Sequence, residues 1–92
     1  MKQSQAKAVA QDALLWLAQD QEALTHFLNA TGASPDDVRN GVEDQEFLGF
    51  VLDFIMSSDD MVLGAAASAS VAPETLLRAR AVLPGGDAPN WT

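Results

Sequence analysis

The apolar residues of the chain recur at steps of three and four positions, which is the period of an amphipathic helix. Ala6, Val9, Ala10, Ala13, Leu14 and Leu17 follow this spacing. They predict a first helix over residues 5–19. Leu24, Phe27 and Leu28 continue the pattern in a second helix over about 21–31, which Asp20 can cap. Gly32 ends this helix because glycine suits the left-handed position after a helix.

The other short helices are predicted from the residues that open them. Serine, aspartate and proline are favoured at the first positions of a helix. They open three further helices, at Ser34-Pro35, at Ser58 or Asp59, and at Pro73-Glu74. The third helix is expected to end near Gly41, and Pro84-Gly85-Gly86 is expected to end the last one.

The segment 45–57 is the most apolar part of the chain. Eight of its residues are large and apolar, namely Phe47, Leu48, Phe50, Val51, Leu52, Phe54, Ile55 and Met56. A narrow polar stripe is formed by Glu46, Gly49, Asp53 and Ser57. A β-strand is the competing interpretation, but the length and the stripe favour a helix. We therefore expect an all-α bundle of five to six short helices around this central helix.

The residues that begin and end helices recur at similar positions in the two halves of the chain. At an offset of 39, Asp20 aligns with Asp59, Leu24 with Leu63, Thr31 with Ser70 and Arg39 with Arg78, whereas Pro35 and Pro73 are 38 apart. Two interpretations stay open. The chain is an internal two-fold repeat of three-helix units, or common capping residues align by chance.

Composition indicates one domain. A chain of 92 residues with 48% hydrophobic content holds one modest core. We assign it to residues 1–86, followed by an irregular tail over 87–92. The absence of cysteine suits a reducing compartment such as the cytoplasm, the N-terminus lacks the apolar region of a secretory signal, and no apolar run reaches the length of a membrane helix.

Charge is concentrated in the middle of the chain. The net charge is −8, and the span from Asp12 to Asp60 holds eleven acidic residues against one basic residue, Arg39. Such a surface disfavours nucleic-acid binding, because phosphate contacts need the opposite sign. Three interpretations stay open. The acidic face is simply solvated, it binds a basic protein partner, or the protein mimics nucleic acid and occupies a basic protein.

No arrangement of residues predicts catalysis, a cofactor or a metal. His26 is the single histidine, and Glu22 four positions earlier leaves a metal ion short of ligands. Residues 36–47 resemble a calcium loop, but Val38 and Phe47 stand where oxygen ligands are required. We therefore expect that the protein is not an enzyme.

Asp53 marks a candidate polar site. A carboxylate within the most apolar helix is costly to bury without a partner. Arg39, Arg78 or Arg80 can supply that partner, or the side chain lies exposed on the polar stripe. An alternative function, a small ligand-binding protein or enzyme, would use Asp53 with Arg39 and Arg78.

Trp16, Leu15 and Trp91 form a candidate interaction surface. They add more apolar area than one small core requires, and Trp91 lies in a Gly/Pro-rich tail where nothing local buries it. Trp16 either belongs to the core, which we favour, or lines an interface, and Trp91 either folds back into a groove or docks on another chain. The leading function is therefore a protein-interaction or adaptor module, whose partner is another protein or a second copy in a homodimer.

A family resemblance rests on helix-capping and core residues along nearly the whole chain. These are Asp20-Gln21-Glu22-Ala23-Leu24, Phe27-Leu28, Thr31-Gly32, Ser34-Pro35, Val38-Arg39, Phe47-Leu48, Val51-Leu52-Asp53-Phe54, Pro73-Glu74, Ala79-Arg80 and Leu83-Pro84-Gly85. In them the chain resembles a family of short alphaproteobacterial proteins known only as a domain of unknown function. The resemblance implies a bacterial, all-helical, stand-alone protein and supplies no functional residues. His26 departs from the basic residue, usually arginine, expected at its position.

Overall fold

A computed structural model describes residues 1–83 as six α-helices with no strand among them. The helices are α1 (Gln3–Gln19), α2 (Gln21–Thr31), α3 (Pro35–Gly41), α4 (Gln45–Ile55), α5 (Asp59–Ala69) and α6 (Pro73–Val82). The predicted all-α class and the order of elements are confirmed. In this part of the chain, no helix combines the length and the apolar character needed to cross a membrane. The predicted boundary at residue 86 and the tail over 87–92 lie outside the described residues.

The helix ends follow the predicted capping chemistry. Asp20 accepts hydrogen bonds from the amides of Glu22 and Ala23 at 3.1 and 3.2 Å and so caps α2. The Ser34 hydroxyl accepts one from the Asp37 amide at 3.1 Å and caps α3. Gly32 ends α2 with a φ of 76°, a left-handed conformation that glycine adopts without steric cost.

Two helices share the centre of the bundle. α4 packs against α1, α3, α5 and α6, as expected of the most apolar helix, and α1 packs against α2, α4, α5 and α6. The buried core contains alanines of α1 and α5 opposite larger side chains of α2, α4 and α6. Its largest fully buried members are Phe27, Leu17, Leu48, Leu52, Ile55, Leu76, Leu83 and Val51. Small residues in α1 let its neighbours approach closely, which explains how one helix contacts four others.

The polar stripe of α4 differs from the prediction at one position. Gly49 is buried, whereas Phe50 has 52% of its surface exposed. The exposed stripe therefore runs through Glu46, Phe50, Asp53 and Ser57. Steps of four, three and four keep these residues on one helix face as well as the predicted set does, so spacing alone did not decide between Gly49 and Phe50.

The helix α4 ends at Ile55, two residues before the predicted end. The amides of Ser57 and Ser58 hydrogen-bond to the carbonyls of Phe54 and Ile55, three residues back, at 3.1 and 3.2 Å. Ser58 then adopts an extended backbone and its hydroxyl accepts from the Met61 amide at 3.4 Å. The residue that caps α5 cannot also continue α4, because an N-cap has non-helical dihedral angles.

In the structure, corresponding helix starts and ends in the two halves of the chain are 38 residues apart. α2 and α5 both have eleven residues and end at left-handed residues, Gly32 and Ser70, which are 38 apart. α3 and α6 both open at a proline, again 38 apart. The offset of 39 instead aligns half-buried Leu24 with exposed Leu63. The capping pattern is thus shared between the halves, but the register predicted for most of the pairs was wrong by one residue.

Candidate functional site

An aromatic cluster joins α2 to α4. Phe27 is fully buried, and its ring meets those of Phe47 and Phe54 edge to face at centroid distances of 5.9 and 5.2 Å. His26, which is exposed, places its ring 5.5 Å from that of Phe54. Edge-to-face packing is the favoured geometry of aromatic pairs. The cluster therefore fixes the position of α2 relative to α4.

A groove follows this aromatic cluster along the surface. Two cavities lie between α2 on one side and α4 with the start of α5 on the other, and both are lined by Phe54 and Ser57. A third cavity runs along α2 itself and adjoins both, since it shares Glu22 and His26 with the first and Ala30 with the second. We call this surface the α2–α4 groove. Helices of eleven residues are about 16 Å long, so the groove is long enough for about three turns of a bound helix.

One end of the groove is apolar. Here an open pocket of about 470 Å³, the Phe50 pocket, is lined by Ala30, Thr31, Phe50, Asp53, Phe54 and Ser57. Phe50 has half of its surface exposed. Solitary exposed apolar side chains are common, but an exposed ring that borders a second ring in a concavity is characteristic of a binding surface.

The charged residues of the groove are acidic. Asp20 and Glu22 line one end and Asp53 lines the Phe50 pocket, whereas no lysine or arginine within residues 1–83 lines any of the three cavities. Every lining residue of the groove except Met61 lies within the acidic span from Asp12 to Asp60. A groove of one charge sign selects ligands of the opposite sign.

Asp53 is held in place from the buried side by Arg80. Arg80 Nε donates to Asp53 Oδ1 at 2.6 Å and Arg80 Nη2 donates to Asp53 Oδ2 at 2.9 Å. The Arg80 side chain is 9% exposed and the Asp53 side chain 44%. The pair therefore presents its negative end to solvent. Arg80 was one of three partners expected for Asp53.

The other two residues of the predicted polar site have separate neighbours. Arg39 pairs with Asp36 at 3.3 Å on the exposed surface of α3. Arg78 lines a cavity with Met1, Gln5, Ala8, Val9 and Thr75, between α1 and α6. The structure therefore does not bring Arg39 and Arg78 to Asp53. Arg78 and Arg80 are two residues apart and therefore lie on opposite sides of α6, and the packing of α6 against α4 brings only Arg80 to Asp53.

The predicted interaction surface is also divided. Trp16 is half-buried, and its ring lies against Gly64 of α5. Leu15 is 61% exposed and lines none of the four main cavities among the described residues. Trp91 lies outside the described residues. The structure thus places Trp16 in the packing between α1 and α5 and leaves Leu15 exposed outside these cavities.

Sequence reasoning missed Phe50, Phe54 and His26 as neighbours in one groove. The signal that could have found Phe50 is its position on a helix face otherwise formed by Glu46, Asp53 and Ser57. The contact between His26 and Phe54 depends on how α2 crosses α4, which no local pattern records. The sequence pattern instead places His26 on the surface of one helix and Phe54 in the apolar part of another.

The structure is that of a small all-helical protein with an acidic groove that is partly lined by aromatic side chains. Among residues 1–83, no group of three or more histidine, aspartate or glutamate side chains could hold a metal ion. The chain belongs to the family described as protein of unknown function (DUF3572), whose model matches residues 3–86. No curated protein and no solved structure matches the chain. The family description names no activity and therefore assigns no functional residues.

Proposed function

We propose that this protein is a non-catalytic interaction module that binds a positively charged segment of another protein in the α2–α4 groove. The observation that carries the proposal is the half-exposed Phe50, which borders Phe54 and the carboxylate of Asp53 in one pocket. Aromatic side chains at the centre of a concave surface supply much of the binding energy in protein complexes. The lack of cysteine suits action in the cytoplasm.

The other exposed apolar side chains support the choice of this face. Leu15, Leu63 and Leu77 are each more than half exposed, yet none of them lines a main cavity of the described residues. Leucines scattered singly over a surface need no functional explanation. Phe50 differs from them because a second ring and a concave wall adjoin it.

Charge favours a basic protein segment over a second copy of the chain as the occupant. A homodimer through this face would bring the carboxylates of Asp20, Glu22 and Asp53 against one another. Like charges across an interface are costly, and the chain carries a net charge of −8. A basic helix with apolar side chains on one face would contact the rings and the acidic rim together.

The test uses a synthetic amphipathic peptide of about fourteen leucine and lysine residues, sufficient for a short helix in a groove. Binding is measured by isothermal titration calorimetry, and the site is located by amide shifts in NMR spectra. Phe50→Ala is expected to weaken binding about tenfold. The matched control Leu77→Ala removes an exposed leucine outside the groove and should leave the affinity unchanged.

Salt and peptide charge complete the experiment. Screening of the acidic rim should lower the affinity by at least about fivefold between roughly 50 and 500 mM NaCl. A peptide with glutamate in place of lysine should not bind. Equal affinities for Phe50→Ala and Leu77→Ala, or amide shifts outside the α2–α4 groove, would overturn the proposal.

A further inference from the structure

We infer that the Phe50 pocket is a subsite for one lysine side chain of the bound segment, an inference that rests on the proposed function. The pocket combines two aromatic side chains, Phe50 and Phe54, with one carboxylate, Asp53. Its volume of about 470 Å³ exceeds that of a single long side chain. A lysine has a four-carbon stem that packs on apolar walls and an ammonium head that is attracted to aromatic rings and carboxylates.

The hydrogen-bonding groups of the pocket favour a ligand that only donates. The Thr31 hydroxyl donates to the Phe27 carbonyl at 2.8 Å, and the Ser57 hydroxyl donates to the Phe54 carbonyl at 2.5 Å. Both hydroxyl hydrogens are therefore used within the protein. The Thr31 oxygen also accepts from the Ala33 amide at 3.2 Å, so Thr31 has one lone pair left for the pocket and Ser57 likewise offers only acceptor capacity. The carboxylate of Asp53 is also an acceptor. An ammonium group has three donors and no acceptor, which matches this set.

The pair of Asp53 and Arg80 explains why the negative charge of the pocket is fixed. Arg80 is almost completely buried and holds both carboxylate oxygens, so the carboxylate cannot rotate freely. Because Asp53 is the more exposed partner, its negative charge faces the incoming cation and the charge of Arg80 lies behind it. A preoriented carboxylate loses little freedom when it binds.

The same pair favours lysine over arginine. Two N–H groups of Arg80 already occupy one edge of the Asp53 carboxylate as a fork. A second guanidinium cannot form the parallel two-bond arrangement on that edge, which is its strongest mode of carboxylate binding. An ammonium is a compact charge that needs no such edge and reaches the outer lone pair of one oxygen. The pocket therefore discriminates between the two basic side chains.

The test compares three small probes, the N-acetyl methylamides of lysine, arginine and norleucine, by NMR titration of the intact protein. Norleucine keeps the apolar stem and lacks the charge. The lysine probe should shift the ring signals of Phe50 and Phe54 and the amide of Asp53, with saturation. We expect norleucine to bind about fivefold more weakly than lysine, and arginine about twofold more weakly.

Variants of exposed residues test whether the lysine probe binds in the Phe50 pocket, because such changes leave the fold intact. Phe50→Leu keeps an apolar wall but removes the ring, and should weaken the lysine probe about threefold while leaving norleucine unchanged. Leu77→Ala is the control and should change neither. Asp53→Asn should weaken the lysine probe about fivefold. Since that change also disturbs Arg80, the exposed Phe50 variants decide the outcome.

Two results would overturn the inference. Equal binding of lysine and norleucine would exclude a cation site, and an unchanged lysine affinity in Phe50→Leu would exclude a role for the ring. Either result leaves the proposed function standing if the leucine-lysine peptide still requires Phe50. If the peptide binds Phe50→Ala and Leu77→Ala equally well, the proposed function fails independently of the lysine subsite.

Discussion

Arg80 of α6 and Asp53 of α4 form a two-bond ion pair, with Nε to Oδ1 at 2.6 Å and Nη2 to Oδ2 at 2.9 Å. The pair joins two helices that are 27 residues apart in sequence. It lies at the boundary between the core and the Phe50 pocket, because Arg80 is buried and Asp53 is partly exposed. Its loss therefore affects both the stability of the domain and the charge of the groove.

Replacement of Asp53 by asparagine should lower the free energy of unfolding by about 2 kcal/mol, because a buried guanidinium would lose its ionised partner. The figure is smaller than for a fully buried pair since the Asp53 side chain is 44% exposed. Urea denaturation followed by circular dichroism measures the change. Asp12→Asn, on the exposed side of α1, is the control and should stay within about 0.5 kcal/mol of the parent. A similar loss in both variants would contradict a specific role for the pair.

Phe27 and Phe50 should separate stability from binding. Phe27 is fully buried between two other rings, so Phe27→Ala should cost about 4 kcal/mol through lost burial and a cavity. Phe50 is 52% exposed, so Phe50→Ala should cost less than about 1 kcal/mol. Thermal unfolding of the two variants provides the comparison. A large loss for Phe50→Ala would show that this side chain is mainly a structural residue.

Gly64 should not tolerate alanine. A Cβ atom at this position would lie 2.5 Å from Trp16 Cζ2, well inside van der Waals contact, so α1 and α5 would have to move apart or the indole would have to rotate. We expect Gly64→Ala to destabilise the domain by about 1–3 kcal/mol. Trp91→Phe leaves Trp16 as the single tryptophan, so a change in the fluorescence emission of this variant measures the displacement of the Trp16 ring. Gly64→Ala combined with Trp16→Ala should recover part of the loss, and no recovery would point to a different cause.

The two left-handed helix ends predict opposite responses to substitution. Ser70 has a φ of 59°, which costs a side-chain-bearing residue about 1 kcal/mol, so Ser70→Gly should raise stability by up to that amount. Gly32 has a φ of 76°, and Gly32→Ala should lower stability by about 1 kcal/mol although nothing lies within 4 Å of the new Cβ. Chemical denaturation of both variants measures the contrast. Changes of the same sign would mean that backbone conformation is not the dominant factor.

The helices could be predicted from the sequence because their ends are encoded locally. Capping residues such as Asp20, Ser34 and Gly32 act within a few positions, and the helix ends that were predicted lie within about two residues of the observed ones. α4 is shorter than predicted because Ser58 caps the next helix. The family resemblance rested on the same local features.

The groove could not be predicted because it depends on how helices cross. The pairing of Asp53 with Arg80 rather than Arg78 is set by the rotation of α6 against α4. The exposure of Phe50 rather than Gly49 is set by which side of α4 is buried, and the spacing of the stripe fits either residue. Arg78 and Arg80 lie on opposite sides of α6, so the packing of the helices decides which of them reaches Asp53. The local signal for the groove is Phe50, an apolar residue on a face of α4 that is otherwise formed by polar residues.

Phe54 belongs to two structures at once, since one edge of its ring meets the buried Phe27 and its exposed part forms a wall of the Phe50 pocket. The pocket consequently exists only while the core is intact, and any occupant binds the folded form alone. By mass action, such an occupant raises the unfolding temperature in proportion to the logarithm of its concentration. The melting transition of the intact domain can thus serve to detect ligands of the proposed pocket, with Phe50→Ala as the variant in which the shift is reduced.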